Sequence, residues 1–173
     1  MAIILTDEEI GNLLIEVKPL PDDWKKKLGL QAKQDAAFRH RGLTVDGVSG
    51  KHFRIIIRQA VNNPEDFSII LMFMASDGTE YRLSRFNGRH PSEHTNRIEK
   101  LGGQPNASFR NVFHIHRATE RYQLAGRSID SYAEPTTAYN SIDSALAHFL
   151  DLYRFTHQAE FLPLFHPPGG SQP

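Results

Sequence analysis

The stretch from residue 51 to residue 86 constrains the fold of this chain more than any other part of the sequence. It contains three runs, KHFRIIIRQAV, DFSIILMFMAS and TEYRLSRF. Apolar and polar residues alternate along these runs, and a period of two is typical of β-strands that bury one face. Asp77-Gly78 separates the last two runs and is a strong hairpin signal. Together with FRHRGLTVDG, which ends in the turn signal Asp46-Gly47, these runs predict a meander of about four antiparallel strands.

Helical patterns flank the predicted meander on both sides. Thr6 and Glu9 form a capping-box signature, and apolar residues follow at helical spacing until Pro19. PDDWKKKLGL predicts a second, short helix that ends at Gly29. Ser141 is a suitable N-cap for a third helix of about fifteen residues, because an apolar face follows it. That face consists of Ile142, Ala145, Leu146, Phe149, Leu150 and Tyr153.

A further strand is predicted in NVFHIHRA, whereas the sequence between Thr119 and Tyr139 fits neither period for long. The predicted fold is therefore α+β: an antiparallel sheet of about five strands, with N-terminal helices and a long C-terminal helix packed on one face. We expect one domain over residues 1–165 and a flexible tail over residues 166–173, where Pro and Gly are concentrated. The predicted core comprises Phe53, Ile55, Ile57, Ile69, Leu71, Phe73, Phe113, Ile115, Leu146, Phe149 and Leu150.

Composition excludes several classes of function. The 173 residues include no cysteine, which excludes disulfides, thiolate nucleophiles and Cys-ligated zinc. Acidic and basic residues number twenty each, so no overall charge draws the chain to nucleic acid or to an anionic membrane. The first residues lack a signal-peptide pattern, and no apolar run is long enough to span a bilayer. We expect a cytoplasmic protein without a membrane partner.

Four of the nine histidines lie between residues 87 and 122. If residues 111–118 form a strand, alternation places His114 and His116 together on the face opposite Phe113 and Ile115. Joined by arginines such as Arg58 and Arg85, the histidines would form an anion-binding surface. Two other interpretations stay open: a solvated sheet face, and a buried structural pair. The same alternation places Arg85 with Tyr81 and Leu83, and Arg82 with Ser84 and Phe86.

The histidine spacing also allows a metal site. HxH on a strand, and His90 and His94 on a short helix begun by Pro91, would each place two imidazoles on one side of an element. HPSEH does not match the HExxH pattern, however, and no acidic residue accompanies the histidines in the manner of a catalytic metal motif. We therefore expect neither a metal nor another cofactor, with the metal site as the alternative.

The order FRIIIRQA, FSIILMFMASDG, YRLSRFNGRH, FHIHRATERY resembles that of small bacterial domains related to the TumE-like toxins of toxin–antitoxin modules. The resemblance covers about residues 50–122. It implies a ribonuclease or another toxin directed at nucleic acid. The long N-terminal helical region and the extended C-terminal part depart from that pattern. The positions that match the pattern are Arg85, Asn87, His90, His114 and His116.

Residue chemistry independently allows a metal-independent ribonuclease. One histidine would remove the 2′-hydroxyl proton, another would protonate the leaving oxygen, and arginines would stabilise the pentacovalent phosphate, which predicts a bell-shaped pH–rate profile. The alternative is a binding or regulatory protein that uses the same face for a protein partner without chemistry. The predicted catalytic residues are His114, His116, Arg85 and His90. The predicted substrate-binding residues, with RNA as the partner, are Arg58, Asn87, His94, Arg117 and Tyr122.

Overall fold

The computed structural model describes residues 3–29 and 37–157. The predicted tail at residues 166–173 lies outside these ranges. No helix within them has the length and apolar character needed to cross a membrane. The helices are α1 (Asp7–Ile15), α2 (Trp24–Leu28), α3 (Arg97–Leu101), α4 (Glu120–Leu124) and α5 (Ile142–Leu152). The strands are β1 (Lys18–Pro19), β2 (Phe38–Asp46), β3 (His52–Ala60), β4 (Phe67–Met74), β5 (Glu80–Asn87), β6 (Glu93–Thr95), β7 (Ser108–Arg110), β8 (His114–Arg117), β9 (Tyr132–Pro135) and β10 (Phe155–Thr156).

The main sheet confirms the predicted α+β class and the antiparallel meander. Its order is β2-β3-β4-β5-β8-β9, with every neighbouring pair antiparallel. It has six strands rather than about five, because β9 forms within the segment whose periodicity was ambiguous. Gly78 takes the positive φ, 86°, that the Asp77-Gly78 hairpin requires of its second residue. Two smaller sheets pair β1 with β10 in parallel and β6 with β7 in antiparallel.

One face of the main sheet forms the core together with α1, α2 and α5. The capping box of Thr6 and Glu9 is present at the start of α1, as predicted. The predicted core residues are buried, except that Phe73 is only partly buried at the edge of the cluster. α5 contributes Phe149, whose ring lies 5.4 Å from the ring of Phe86 in an edge-on arrangement. The prediction that α5 is long is wrong: it ends at Leu152, and Arg154 follows with φ 54°, which turns the chain into β10.

The packing of α5 on the sheet predicts which of its leucines contribute to the free energy of unfolding. Leu146 is 1% exposed on the sheet side of α5, whereas Leu152 in the same helix is 40% exposed. Leu146→Ala is expected to lower the free energy of unfolding by about 2–5 kcal/mol, because it leaves a cavity that neighbouring groups fill only partly. Urea denaturation measures this change. Leu152→Ala is the matched control, and equal losses in both variants would contradict the packing of α5 on the sheet.

A β-bulge in β5 changes which residues share a face. Leu71 of β4 pairs with Ser84, but the next residue, Met72, pairs with Arg82, so the register shifts by one. The extra residue, Leu83, interrupts simple alternation. Arg82 and Arg85 therefore lie on the same face, opposite the core, whereas Phe86 is fully buried in the core. The prediction that Arg85 shares a face with Tyr81 and Leu83 is wrong for this reason.

The face of the main sheet opposite the core, which we call the second face, is covered at one end by the segment from β6 to β7. The segment HPSEH is not helical, since Glu93–Thr95 forms β6, which pairs with β7. Asn96, which follows β6, accepts a hydrogen bond from the backbone N–H of Ala133 at 2.8 Å and donates to its carbonyl oxygen at 2.7 Å. The Asn96 amide thus pairs with strand β9 as a peptide group would. This pairing holds the β6–α3–β7 segment against the end of the sheet that carries β8.

Lys18 is a fully buried lysine that joins the two ends of the described chain. Its Nζ donates hydrogen bonds to the carbonyl oxygens of Leu14 (3.1 Å), Glu16 (2.7 Å) and Tyr153 (3.1 Å). These carbonyls end α1 and α5, where a cation is favoured by the helix dipoles. The ammonium group also lies 4.5 Å from the ring centroid of Phe53. Burial lowers the pKa of Lys18 to about 8.

Candidate functional site

His90, His94, His114 and His116 converge on the covered end of the second sheet face. The ring centroids are 5.1 Å apart for His114 and His116, 4.7 Å for His94 and His116, and 5.2 Å for His90 and His114. We call these four residues the histidine cluster. His114 and His116 are 2% and 3% exposed, so the solvated-face interpretation is wrong. The β6–α3–β7 segment, which contributes His94, is what removes them from water.

Strand register explains how the neighbours of the histidine cluster are positioned. Alternation in β8 places His114 and His116 on one face, as predicted, and β5 lies alongside with Arg85 opposite His116 and Asn87 opposite His114. After β5 the chain passes Gly88, where an added Cβ would lie 1.8 Å from the carbonyl oxygen of Glu65. Only glycine fits this close approach. The turn that follows brings His90 to the cluster.

His114 belongs to a hydrogen-bonded relay that uses both of its ring nitrogens. Its Nδ1 lies 2.8 Å from the carbonyl oxygen of Val112, and because a carbonyl only accepts, Nδ1 carries the proton. Nε2 therefore accepts from the side-chain amide of Asn87 at 3.1 Å, and the Asn87 oxygen accepts from the hydroxyl of Ser68 at 2.9 Å. Burial is the main reason that the pKa of His114 falls to about 4. His114 is a neutral residue that positions its neighbours.

His116 is held in the same tautomer. Its Nδ1 donates to the carbonyl oxygen of Asp130 at 2.9 Å. Nη2 of Arg85 lies 3.1 Å from Nδ1 and 3.2 Å from Nε2, so the guanidinium sits over the imidazole ring. Burial, and then the charge of Arg85, lower the pKa of His116 to about 2. An imidazolium at this position is strongly disfavoured.

His94 is a half-buried member of the cluster and lines the cavity described below. Its Nε2 lies 2.9 Å from the Asn96 side-chain oxygen. That oxygen accepts from Ala133 as well, so Nε2 of His94 is the donor and Nδ1 keeps the lone pair. Burial lowers the pKa of His94, although the bond to Asn96 acts in the opposite direction. His94 is therefore neutral near pH 7, and Nδ1 is its basic nitrogen.

A cavity of about 320 Å³ opens beside His94 and His116. We call it the arginine cavity, because its lining among the described residues includes four arginines and one acidic side chain, that of Asp130. Besides the two histidines, its other described lining groups are hydroxyl-bearing residues, which add neutral hydrogen-bond donors. Guanidinium forks together with hydroxyls are the groups that bind phosphate in proteins. The lining residues are Arg82, Arg85, Arg97, Arg127, Asp130, His94, His116, Thr95, Ser128 and Ser131.

Asp130 organises the inner part of the arginine cavity. Its carboxylate is buried. Both of its oxygens lie 3.4 Å from Nη1 of Arg82, and one of them also lies 3.5 Å from Nη2 of Arg85. These separations are longer than a close bidentate pair of about 2.7–2.9 Å. The Nε atoms of Arg82 and Arg85 are buried and have no hydrogen-bond partner within residues 3–29 and 37–157. The Arg82 and Arg85 side chains are nevertheless 40% and 27% exposed, so the rest of each guanidinium group can meet an anion.

The structure separates three of the predicted substrate-binding residues from this site. Arg58 in β3 lies over the ring of Phe38 at 3.6 Å, about 14 Å from β8 at ordinary strand spacing. Arg117 lies on the core side of β8, where its Nε is 3.6 Å from a carboxylate oxygen of Glu134. Tyr122 is fully buried, and its hydroxyl donates to Glu99 at 2.6 Å. Its environment is that of a packing residue.

Sequence reasoning missed most residues of the arginine cavity. Arg82 was placed on the opposite face, because the bulge at Leu83 leaves no periodic signal. Arg97 follows the histidine motif directly in HTNR, and proximity to His94 was the one signal available for it. Asp130 and Arg127 come from the segment after Thr119 that had no clear periodicity. His90 in turn does not line the cavity; its Nδ1 is buried and lacks a hydrogen-bond partner in the described part of the chain.

The described residues contain no group that could form a metal centre, and the comparisons with other proteins are negative. No group of three or more His, Asp or Glu side chains among the described residues has a geometry that could hold a metal ion. Comparison of the chain with protein-family models, curated proteins and solved structures finds no significant match.

Proposed function

We propose that this protein binds the phosphate groups of RNA in the arginine cavity and cleaves the RNA backbone without a metal. The observation that carries the proposal is the cavity itself, which among the described residues is lined by four arginines, His94 and a single carboxylate, that of Asp130. Fixed positive groups aimed at a phosphate stabilise the charge that develops on its oxygens in the transition state. The TumE-like resemblance implies the same kind of activity.

In the proposed reaction, Nδ1 of His94 takes the proton from the 2′-hydroxyl, and the 2′-oxygen then attacks the adjacent phosphorus. The inner arginines, Arg82 and Arg85, stabilise the pentacovalent phosphate. The 5′-oxygen leaves and takes a proton from water, and His94 returns its proton to solvent. The products are a 2′,3′-cyclic phosphate and a 5′-hydroxyl end.

The tautomers of the two buried histidines change the proton-transfer roles expected from sequence. His114 uses both ring nitrogens in hydrogen bonds, and His116 is too weak a base to act near neutral pH. We propose that both are positioning residues: His114 through Asn87, and His116 through the guanidinium of Arg85. With His94 as the one base, the rate should rise with pH and then level off, rather than follow a bell-shaped curve.

The purified protein is expected to cleave a labelled single-stranded RNA in the presence of EDTA. Arg85→Gln should lower the rate by about 10²- to 10³-fold, the usual loss when one group that stabilises an oxyanion is removed. Arg110→Gln is the matched control, since Arg110 is exposed on β7 and does not line the cavity. The readout is the appearance of 2′,3′-cyclic phosphate ends on a sequencing gel.

Two results would contradict the proposal. If folded protein leaves the RNA intact at every pH between 5 and 9, the proposed ribonuclease activity is ruled out. Cleavage that persists unchanged in Arg85→Gln would assign the activity to other residues or to a contaminant.

A second candidate function is a binding protein that performs no chemistry. It is favoured by the neutral state of His114 and His116, because neither supplies the charged acid that a two-histidine ribonuclease uses. In this case the arginine cavity would receive an anionic group of a cognate protein partner. Stable capture of such a partner by wild-type protein, lost in Arg85→Gln, together with intact RNA, would support this function over the first.

A further inference from the structure

We propose that the arginine cavity is built for two adjacent phosphoryl groups, as in a nucleoside diphosphate or triphosphate or in the 5′-polyphosphate end of an RNA. This inference rests on the proposed phosphate binding and names the ligand class of the same site. It comes from the arrangement of the four arginines in two layers, which differ in burial, in ionic partners and in the part of the chain that supplies them.

The inner layer consists of Arg82 and Arg85, side by side in β5. Both are partly buried, and both contact the carboxylate of Asp130. Two guanidinium charges and one carboxylate leave one net positive charge in this layer. His116 adds no charge, because its pKa is lowered to about 2. One phosphoryl group with a single negative charge would balance the inner layer.

The outer layer consists of Arg97, at the start of α3, and Arg127, in the loop after α4. Both side chains are exposed, and neither forms an ion pair with a described residue. The hydroxyl-bearing residues Ser128 and Ser131 line the cavity beside them. The outer layer therefore adds two positive charges and further hydrogen-bond donors. A phosphoryl group bound at the inner layer does not neutralise these charges.

Charge and volume together decide between ligand classes. The two layers carry three net positive charges, whereas an internal phosphodiester brings about one negative charge. A terminal phosphoryl group carries about 1.5 to 2 negative charges near pH 7. The adjacent phosphoryl group of a diphosphate adds about one more negative charge, and the total then matches the three positive charges of the cavity. Its volume of about 320 Å³ lies at the lower limit of ligand sites, which are about 300–1,000 Å³. The space suits a diphosphate with part of its nucleoside.

Isothermal titration calorimetry with inorganic pyrophosphate and with orthophosphate, at equal ionic strength, tests the two layers. We expect pyrophosphate to bind at least about tenfold more tightly, since it alone reaches both layers. The double variant Arg97→Gln/Arg127→Gln should lose most of this preference and keep its affinity for orthophosphate within about threefold. Arg110→Gln should match wild type. Equal affinity of wild type for the two anions would overturn the inference.

Further arms of the experiment distinguish the sources of the diphosphate. A nucleoside triphosphate that competes with pyrophosphate as well as a 5′-triphosphorylated oligoribonucleotide does would assign the site to free nucleotides. Stronger competition by the oligonucleotide would assign it to RNA ends. An oligoribonucleotide with a 5′-hydroxyl is the control. If it competes as well as the nucleoside triphosphate or the 5′-triphosphorylated oligoribonucleotide, the result would count against the two-layer site.

The outcomes for this inference and for the proposed function can be separated. Cleavage of 5′-hydroxyl RNA that pyrophosphate does not inhibit would overturn the diphosphate site and leave the ribonuclease standing. Tight pyrophosphate binding without RNA cleavage would support the diphosphate site and remove the ribonuclease. Absence of both binding and cleavage in folded protein would remove both.

Discussion

His94→Gln is expected to lower the rate of RNA cleavage by about 10²- to 10⁴-fold, the usual contribution of a general base. Glutamine can still donate from its amide to the Asn96 oxygen, so β6 should remain in place, but it has no basic nitrogen for the 2′-hydroxyl. Single-turnover kinetics with saturating enzyme measure the chemical step directly. His40→Gln is the matched control, because His40 is exposed on β2 at the far side of the sheet.

The pH dependence gives this variant a readout that a loss of stability would not produce. The lowered pKa of His94 places the rising limb of the wild-type profile below about pH 6.5, with a plateau above it. In His94→Gln the residual rate should lack that limb. A profile of unchanged shape, or a rate within a factor of three of wild type, would show that His94 is not the base.

Acidification is expected to unfold the protein before its carboxylates are fully protonated. In the unfolded chain His114 and His116 take up protons below about pH 6.5, whereas in the folded protein they do so only below about 4 and about 2. The unfolded state therefore binds more protons in this range, and stability falls as the pH falls from 6.5 toward 4. His114 alone accounts for a loss on the order of 3 kcal/mol, against a total of about 5–15 kcal/mol for a typical domain.

Urea denaturation at several pH values measures the slope of this effect. Each of the two buried histidines should contribute about 1.4 kcal/mol per pH unit between pH 5.5 and 4.5. His116→Gln should remove one such contribution, whatever its effect on stability at pH 7, whereas His40→Gln should leave the slope unchanged. A slope in His116→Gln equal to that of wild type would mean that the imidazole of His116 is protonated in the folded state.

The parts of the fold that were predictable from sequence are those with local causes. The meander follows from period-two runs and Asp-Gly turns, and α1 follows from its capping box, all of which act within a few residues. The pairing of His114 with His116 on one face needed only alternation in β8. The convergence of His90 and His94 on that pair could not be derived from sequence, because it depends on the β6–β7 pairing and on Asn96.

The arginine cavity was not predictable for a different reason. Its inner pair depends on one extra residue in β5, since without the bulge at Leu83 Arg82 and Arg85 would lie on opposite faces. Asp130, which contacts both, is 45 or more residues later in the sequence and lies just before β9. A single sequence contains no local signal for a contact made by a register shift and a distant loop.

Lys18 has a consequence for when the protein can finish folding. Its third acceptor, the carbonyl of Tyr153, lies 135 residues away in the chain, and β1 pairs with β10. At about 5–20 residues per second, the ribosome adds that stretch in about 7–27 seconds. Throughout this time the ammonium group of Lys18 has no second helix end to bind. The C-terminal end of α1 can therefore reach its final packing only after synthesis has passed Tyr153, in the last part of the described chain.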